Sequence, residues 1–213
     1  MRTYVTLLKR EILDHIAYFV GALVVTALIA GALISITLGL DPSDREIVTV
    51  GGLIPTVLVV VTGLCALGVA QMYTDRTRNI SAFLTALPAT RPQIFTARIA
   101  AGVLAVLILL IPVTIAAAVV LNLGSDEVPL YRGILPEMFL SVFLMCLACY
   151  GVGIYAGWNR GSLAPTLGVL PIVILVPMLV VIKGFGLDVS AILTLFTLAC
   201  LTGTWCRFSA SSL

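Results

Sequence analysis

Cys146 and Cys149, in the stretch "FLMCLACYG", have the C-x-x-C spacing that serves thiol exchange or metal ligation in other chains. That chemistry needs a thiolate, and a thiolate needs a neighbouring cation, metal or helix N-terminus to lower its pKa. No His, Asp or Lys stands in this apolar stretch, so the pair reads as buried, inert thiols. Cys65, Cys200 and Cys206 also fall within or at the ends of apolar runs. The single histidine, His15, supplies neither a catalytic dyad inside a membrane nor a multi-histidine metal or haem site, and reads as an interfacial residue. No G-x-S-x-G or H-E-x-x-H motif is present. Neither lysine (Lys9, Lys183) follows the glycine pattern of a phosphate-binding loop. The sequence therefore offers no catalytic, metal-binding or cofactor-binding residue, and if the chain does work against a gradient, the nucleotide is hydrolysed on another chain.

What remains unusual is a concentration of charge. The stretch "YTDRTRNISAFLTALPATRPQIFTAR", residues 73–98, carries Arg76, Arg78, Arg91 and Arg98, four of the twelve basic residues in 213. Within it Ile80, Phe83, Leu84 and Leu87 follow i, i+3, i+4, i+7, one stripe of a short helix. Asn79 suits its N-cap and Pro88 its stop. Thr90 and Gln93 then stand in capping-box spacing, T-x-x-Q, with Pro92 tolerated in the first turn of a new helix. The arginines are excluded from the bilayer centre, and Arg98 is expected to snorkel back to the interface. The short helix has two readings. It floats on anionic headgroups with its stripe in lipid, or it offers Phe83 and its neighbours to a cytoplasmic partner.

The elements that hold this stretch follow from composition. The chain is 61% hydrophobic and 10% charged, with a mean hydropathy of +1.18. Soluble domains carry about 25% charged residues. Apolar runs at about 16–40, 47–72, 99–121, 138–157, 162–182 and 189–206 are each long enough to cross a bilayer. They lack strict alternation, which argues against a β-barrel. The reading is an all-α, polytopic membrane protein with six transmembrane helices and a single domain over residues 1–213.

Counting Lys and Arg in the short loops, nine fall on one side (Arg2, Lys9, Arg10, Arg76, Arg78, Arg91, Arg98, Arg160, Arg207) and three on the other (Arg45, Arg132, Lys183). The excess puts both termini and the 73–98 connector in the cytoplasm. In the arm 1–15, Val5, Leu8, Ile12 and Ile16 share one face and Lys9, Arg10, Glu11 and Asp14 another. This is either an amphipathic interfacial helix or an extension of the first span. Pro165, Pro171 and Pro177 make the fifth span a candidate for bending. Gly153 and Gly157 form a G-x-x-x-G surface that another helix could approach closely. Tyr150, Tyr155 and Trp158 read as interface aromatics.

The arm with "LLKREIL", six spans with both ends inside, and the segment "FLTALPATRPQIFTARIAAG" together resemble the type-two ABC transporter permeases. That family's second-to-third connector has a short helix ending L-x-x-L-P, a small-plus-basic turn and an apolar stretch reaching a basic residue. Leu84, Leu87, Pro88, Thr90, Arg91, Ile94 and Arg98 follow this pattern. The resemblance implies a permease subunit of an ATP-driven exporter, with a coupling helix at about 79–87 docking on a separate P-loop ATPase. The contact residues it implies are Asp75, Arg76, Arg78, Asn79, Ser81, Phe83, Leu84 and Leu87. It further implies a second permease copy or a related permease, a cell-membrane location and no nucleic-acid partner. The chain departs from the family in having Asp75, Arg76 and Thr77 where a glutamate and a glycine are common, and in a last outer loop too short for re-entrant elements. In length, span number and the segment "GWNRGSLAPTLGVLPIVI" it is also similar to the haem-exporter permease of cytochrome c maturation. Uncharged spans dotted with Thr, Ser and Gly suit a hydrophobic or amphipathic substrate. The rival function is a non-transporting membrane subunit that anchors or assembles a larger complex.

Overall fold

A computed structural model describes residues 2–39, 42–77, 90–124, 131–158 and 163–210. Among these the chain is entirely helical: α1 (Arg2–Asp14), α2 (Ile16–Gly39), α3 (Pro42–Thr77), α4 (Arg91–Gly124), α5 (Tyr131–Gly157), α6 (Leu163–Lys183) and α7 (Leu187–Ala210). Four stretches are long and apolar enough to cross a bilayer: Val57–Thr74, Arg91–Ile115, Pro136–Gly157 and Leu187–Ser209. The pair α1 and α2, bent by 68°, makes a fifth if it is taken as one broken span. In α6 the described apolar stretch, Gly168–Lys183, is shorter.

The arm is a helix of its own, separated from α2 by His15. The His15 carbonyl accepts from the backbone N–H groups of Tyr18 (2.9 Å) and Phe19 (3.2 Å), which starts α2. Its ring Nδ1 donates to the Glu11 carbonyl at 3.1 Å, satisfying one of the acceptors left over at the end of α1. One residue thus closes one helix and opens the next.

The helices around the connector are longer than the apolar runs suggest. α3 continues to Thr77 and α4 begins at Arg91, so residues 73–77 and 91–98 are helix. The start of α4 follows the capping signal: the Thr90 N–H donates to Gln93 Oε1 at 3.1 Å, and the Ile94 N–H donates to the Thr90 carbonyl at 3.2 Å. Pro136, read as loop, lies inside α5, and Pro171 and Pro177 lie inside a single α6. Gly184 ends α6 with φ +77° and donates to the Val180 carbonyl at 2.9 Å, the left-handed cap that lets α7 begin three residues later.

α5 is the centre of the packing, touching α3, α4, α6 and α7. Its contact with α3 depends on missing side chains. A Cβ on Gly153 would lie 2.2 Å from the Cys65 carbonyl oxygen, and one on Gly157 would lie 2.8 Å from that of Val69. The G-x-x-x-G surface is therefore used within the chain, against α3. Threonine hydroxyls on the spans are satisfied locally: Thr197 and Thr204 donate to carbonyls four residues back at 2.8 and 2.7 Å. Ile182 and Leu187 lie about four-fifths exposed, a surface suited to hydrocarbon rather than water.

Candidate functional site

The most chemically unusual place in the chain is where α1, the end of α3, the start of α4 and α5 converge. Arg98, the last arginine of the charge-rich stretch, is 1% exposed. The expectation that it snorkels to the interface is corrected: its Nε donates to Glu11 Oε1 of the arm at 3.2 Å, and its Nη1 lies 3.8 Å from Met72 Sδ. A guanidinium in an apolar bundle is tolerable only when a carboxylate compensates its charge. The arm supplies that carboxylate, and α1 packs along α4 where it does so. His15 reaches the same group, Nδ1 lying 4.0 Å from Glu11 Oε2.

Behind the ion pair lies a neutral layer. The Tyr150 hydroxyl is 2.6 Å from Gln71 Oε1 and 3.0 Å from the Arg98 carbonyl oxygen. It has one proton, so it donates to one of these acceptors at a time. Gln71 is buried and its Nε2 has no hydrogen-bond partner among the described residues. Gly102 makes the arrangement possible: a Cβ there would fall 2.0 Å from Tyr150 Cζ, so only glycine leaves room for the ring beside α4. Tyr150, read as an interface aromatic, is instead fully buried.

The same end of the bundle holds a second cluster. Phe95 of α4 stacks on Phe208 of α7 (centroids 5.9 Å apart) and lies 5.3 Å from Trp205, while Trp158 meets Phe208 edge-on at 5.4 Å. Arg207 sits 4.3 Å above the Tyr155 ring centroid, and its Nη2 donates to the Tyr155 hydroxyl at 2.7 Å. Arg91 Nη1 donates to the Ser209 carbonyl at 3.1 Å. The first two turns of α4 are therefore tied to the arm on one side and to the last turns of α7 on the other.

Of the contact residues implied by resemblance, Arg78, Asn79, Ser81, Phe83, Leu84 and Leu87 lie outside the described residues. Asp75 and Arg76 fall near the end of α3. What the structure brings together is the framework on either side of them: Gln71 and Met72 of α3, and Arg91 and Arg98 of α4. Sequence reasoning missed Glu11, Gln71, Gly102 and Tyr150. A lone glutamine in an apolar run was the available signal for Gln71. Glu11, 87 positions from Arg98, gave none. Cys65, Cys146 and Cys149 are buried free thiols, as their apolar setting suggested.

No family model, curated protein or solved structure matches the chain.

Proposed function

We propose that this chain is the permease subunit of an ATP-driven ABC exporter of the type-two class, moving a hydrophobic or amphipathic substrate across the cell membrane. ATP and magnesium act on a separate P-loop ATPase, and a second permease copy completes the pathway. The carrying observation is the clamping of α4 where it leaves the connector. Arg98 is ion-paired to Glu11 and Arg91 is bonded to the Ser209 carbonyl. A partner pressing on residues 79–87 would push against a joint that moves α1, α4 and α7 together rather than against a loose loop.

The packing also supports six crossings. The arm and the last turns of α7 both meet the start of α4, which suits an even number of crossings between them. The contact of Trp158 with Phe208 puts the ends of α5 and α7 together, which suits α6 and α7 crossing as a pair. The nine-to-three excess of basic residues assigns that end to the cytoplasm.

Purification from its native membrane in mild detergent tests this reading. A P-loop ATPase should co-purify with the chain, and Phe83→Glu or Arg78→Glu should remove it without changing the chain's own yield. Repeated absence of any ATPase overturns the exporter and favours a subunit that only anchors a larger complex.

A further inference from the structure

Gln71, Arg98 and Tyr150 bring three helices, α3, α4 and α5, to one buried polar point. The Gln71 amide has only one of its two ends satisfied there. Its Oε1 meets the Tyr150 hydroxyl at 2.6 Å, whereas its Nε2 is buried with no hydrogen-bond partner among the described residues, in a residue 3% exposed. A buried amide N–H without an acceptor is costly, and folded interiors rarely keep one. Turning the amide over lets Nε2 donate to the Tyr150 oxygen, and Tyr150 in turn to the Arg98 carbonyl oxygen 3.0 Å away. It also puts Oε1 where Nε2 stood, so an acceptor rather than a donor then needs a partner.

We infer that an ordered water molecule is bound at this point, accepting from the Gln71 amide and donating to the Tyr150 hydroxyl oxygen. The site selects for it. A cation is repelled by the amide N–H and by the Arg98 guanidinium, whose Nη1 lies 3.8 Å from Sδ of the neighbouring Met72. An anion finds no net charge to answer, because Glu11 already pairs with Arg98. A lipid chain brings no polar atom. Water both donates and accepts, so it serves either orientation of the amide. Buried waters take this place elsewhere, bonding to polar groups that the protein leaves over. The Tyr150 oxygen has lone pairs for the water while its own proton goes to Gln71 or to the Arg98 carbonyl, so amide, water and hydroxyl close a ring. The Arg98–Glu11 pair gives the water a polar route from the surface, since Glu11 is partly exposed. The site is the same whether or not the chain exports a substrate.

The test uses the full chain in nanodiscs of phosphatidylethanolamine and phosphatidylglycerol, exposed to brief X-ray pulses and mapped by mass spectrometry. Hydroxyl radicals form from water where it stands, so a bound water marks the side chains beside it. Met72 and Met145 share one chemistry and are both buried, but Met145 lines an apolar space with Val61, Leu109 and Leu110. Met72 should be oxidised several times faster than Met145, and Gln71→Leu should abolish that excess. In this variant Tyr150 keeps the Arg98 carbonyl as its acceptor, so the bundle retains its hydroxyl contact. Equal oxidation of the two methionines in the unaltered chain overturns the inference. An excess that persists in a folded Gln71→Leu chain comes from bulk water entering beside Arg98 and overturns it equally. If Gln71→Leu does not fold, a density map of the unaltered chain decides. A peak within hydrogen-bonding distance of both the Gln71 amide and the Tyr150 hydroxyl upholds the water, and an unoccupied amide end packed only against carbon overturns it.

Discussion

At Arg98 the cost of burying a charge is offset by the Glu11 carboxylate. The Arg98 side chain is 1% exposed and that of Glu11 is 18% exposed, so the two are not equivalent. Removing Glu11 takes a carboxylate from a cation that is almost wholly buried; removing Arg98 leaves an anion that is partly exposed. Glu11→Ala should therefore destabilise the protein by about 3 kcal/mol, the range for breaking a buried pair. Arg98→Met should cost less, and Glu11→Leu with Arg98→Met should recover most of the loss, read as melting temperatures in detergent. Equal losses for the two single variants would refute the burial argument. The thiols give a second expectation at this scale. Cys206 is exposed while Cys146 and Cys149 are buried, so a maleimide that enters detergent micelles should modify Cys206 first and the C-x-x-C pair only on unfolding.

At the scale of helices, glycines with the same letter have opposite roles. Gly153 lies against the backbone of α3, and a methyl there would overlap the Cys65 carbonyl oxygen, an atom that cannot move aside alone. Gly153→Ala should force α3 and α5 apart and cost about 1–3 kcal/mol. Gly168, exposed in α6 with nothing within 4 Å of its Cβ position, should tolerate alanine and gain about 0.5–1 kcal/mol from helix propensity. Paired melting curves of the two variants, one lower and one higher than the parent, check the packing directly. The lengths of the helices were partly legible. The T-x-x-Q signal marked the start of α4 because capping is local, whereas the extension of α5 through Pro136 was not. Proline is tolerated in a first turn, and its sequence does not say which turn it occupies.

For the molecule as a whole, the charge count and the convergence of both chain ends on α4 lead to one expectation. With Cys206→Ser to remove background, a cysteine at Ser81 should react with an impermeant maleimide only after the cytoplasmic side is opened. Reaction from outside intact cells would invert the topology and detach the proposed ATPase from its docking segment. The functional residues implied by resemblance fall on the connector, while the buried network lies on the helices that flank it in sequence. Mutations in the two should differ: Phe83→Glu should remove ATPase association at unchanged melting temperature, and Glu11→Ala should lower the melting temperature.

Composition pointed to a bilayer, because a chain 61% hydrophobic and 10% charged has too few charges to cover a water-facing surface, and the long apolar runs without alternation pointed to helices. Local spacing determined where α4 begins, and the apolar neighbours of the C-x-x-C pair pointed to its burial, since both depend on residues within a few positions. Only the tertiary structure decided the pairing of Arg98 with Glu11, the burial of Tyr150 against Gly102, and the use of Gly153 within the chain. These depend on which helices lie side by side, and contacts between positions 48 to 88 residues apart leave no periodic trace in a nearly uniform apolar sequence.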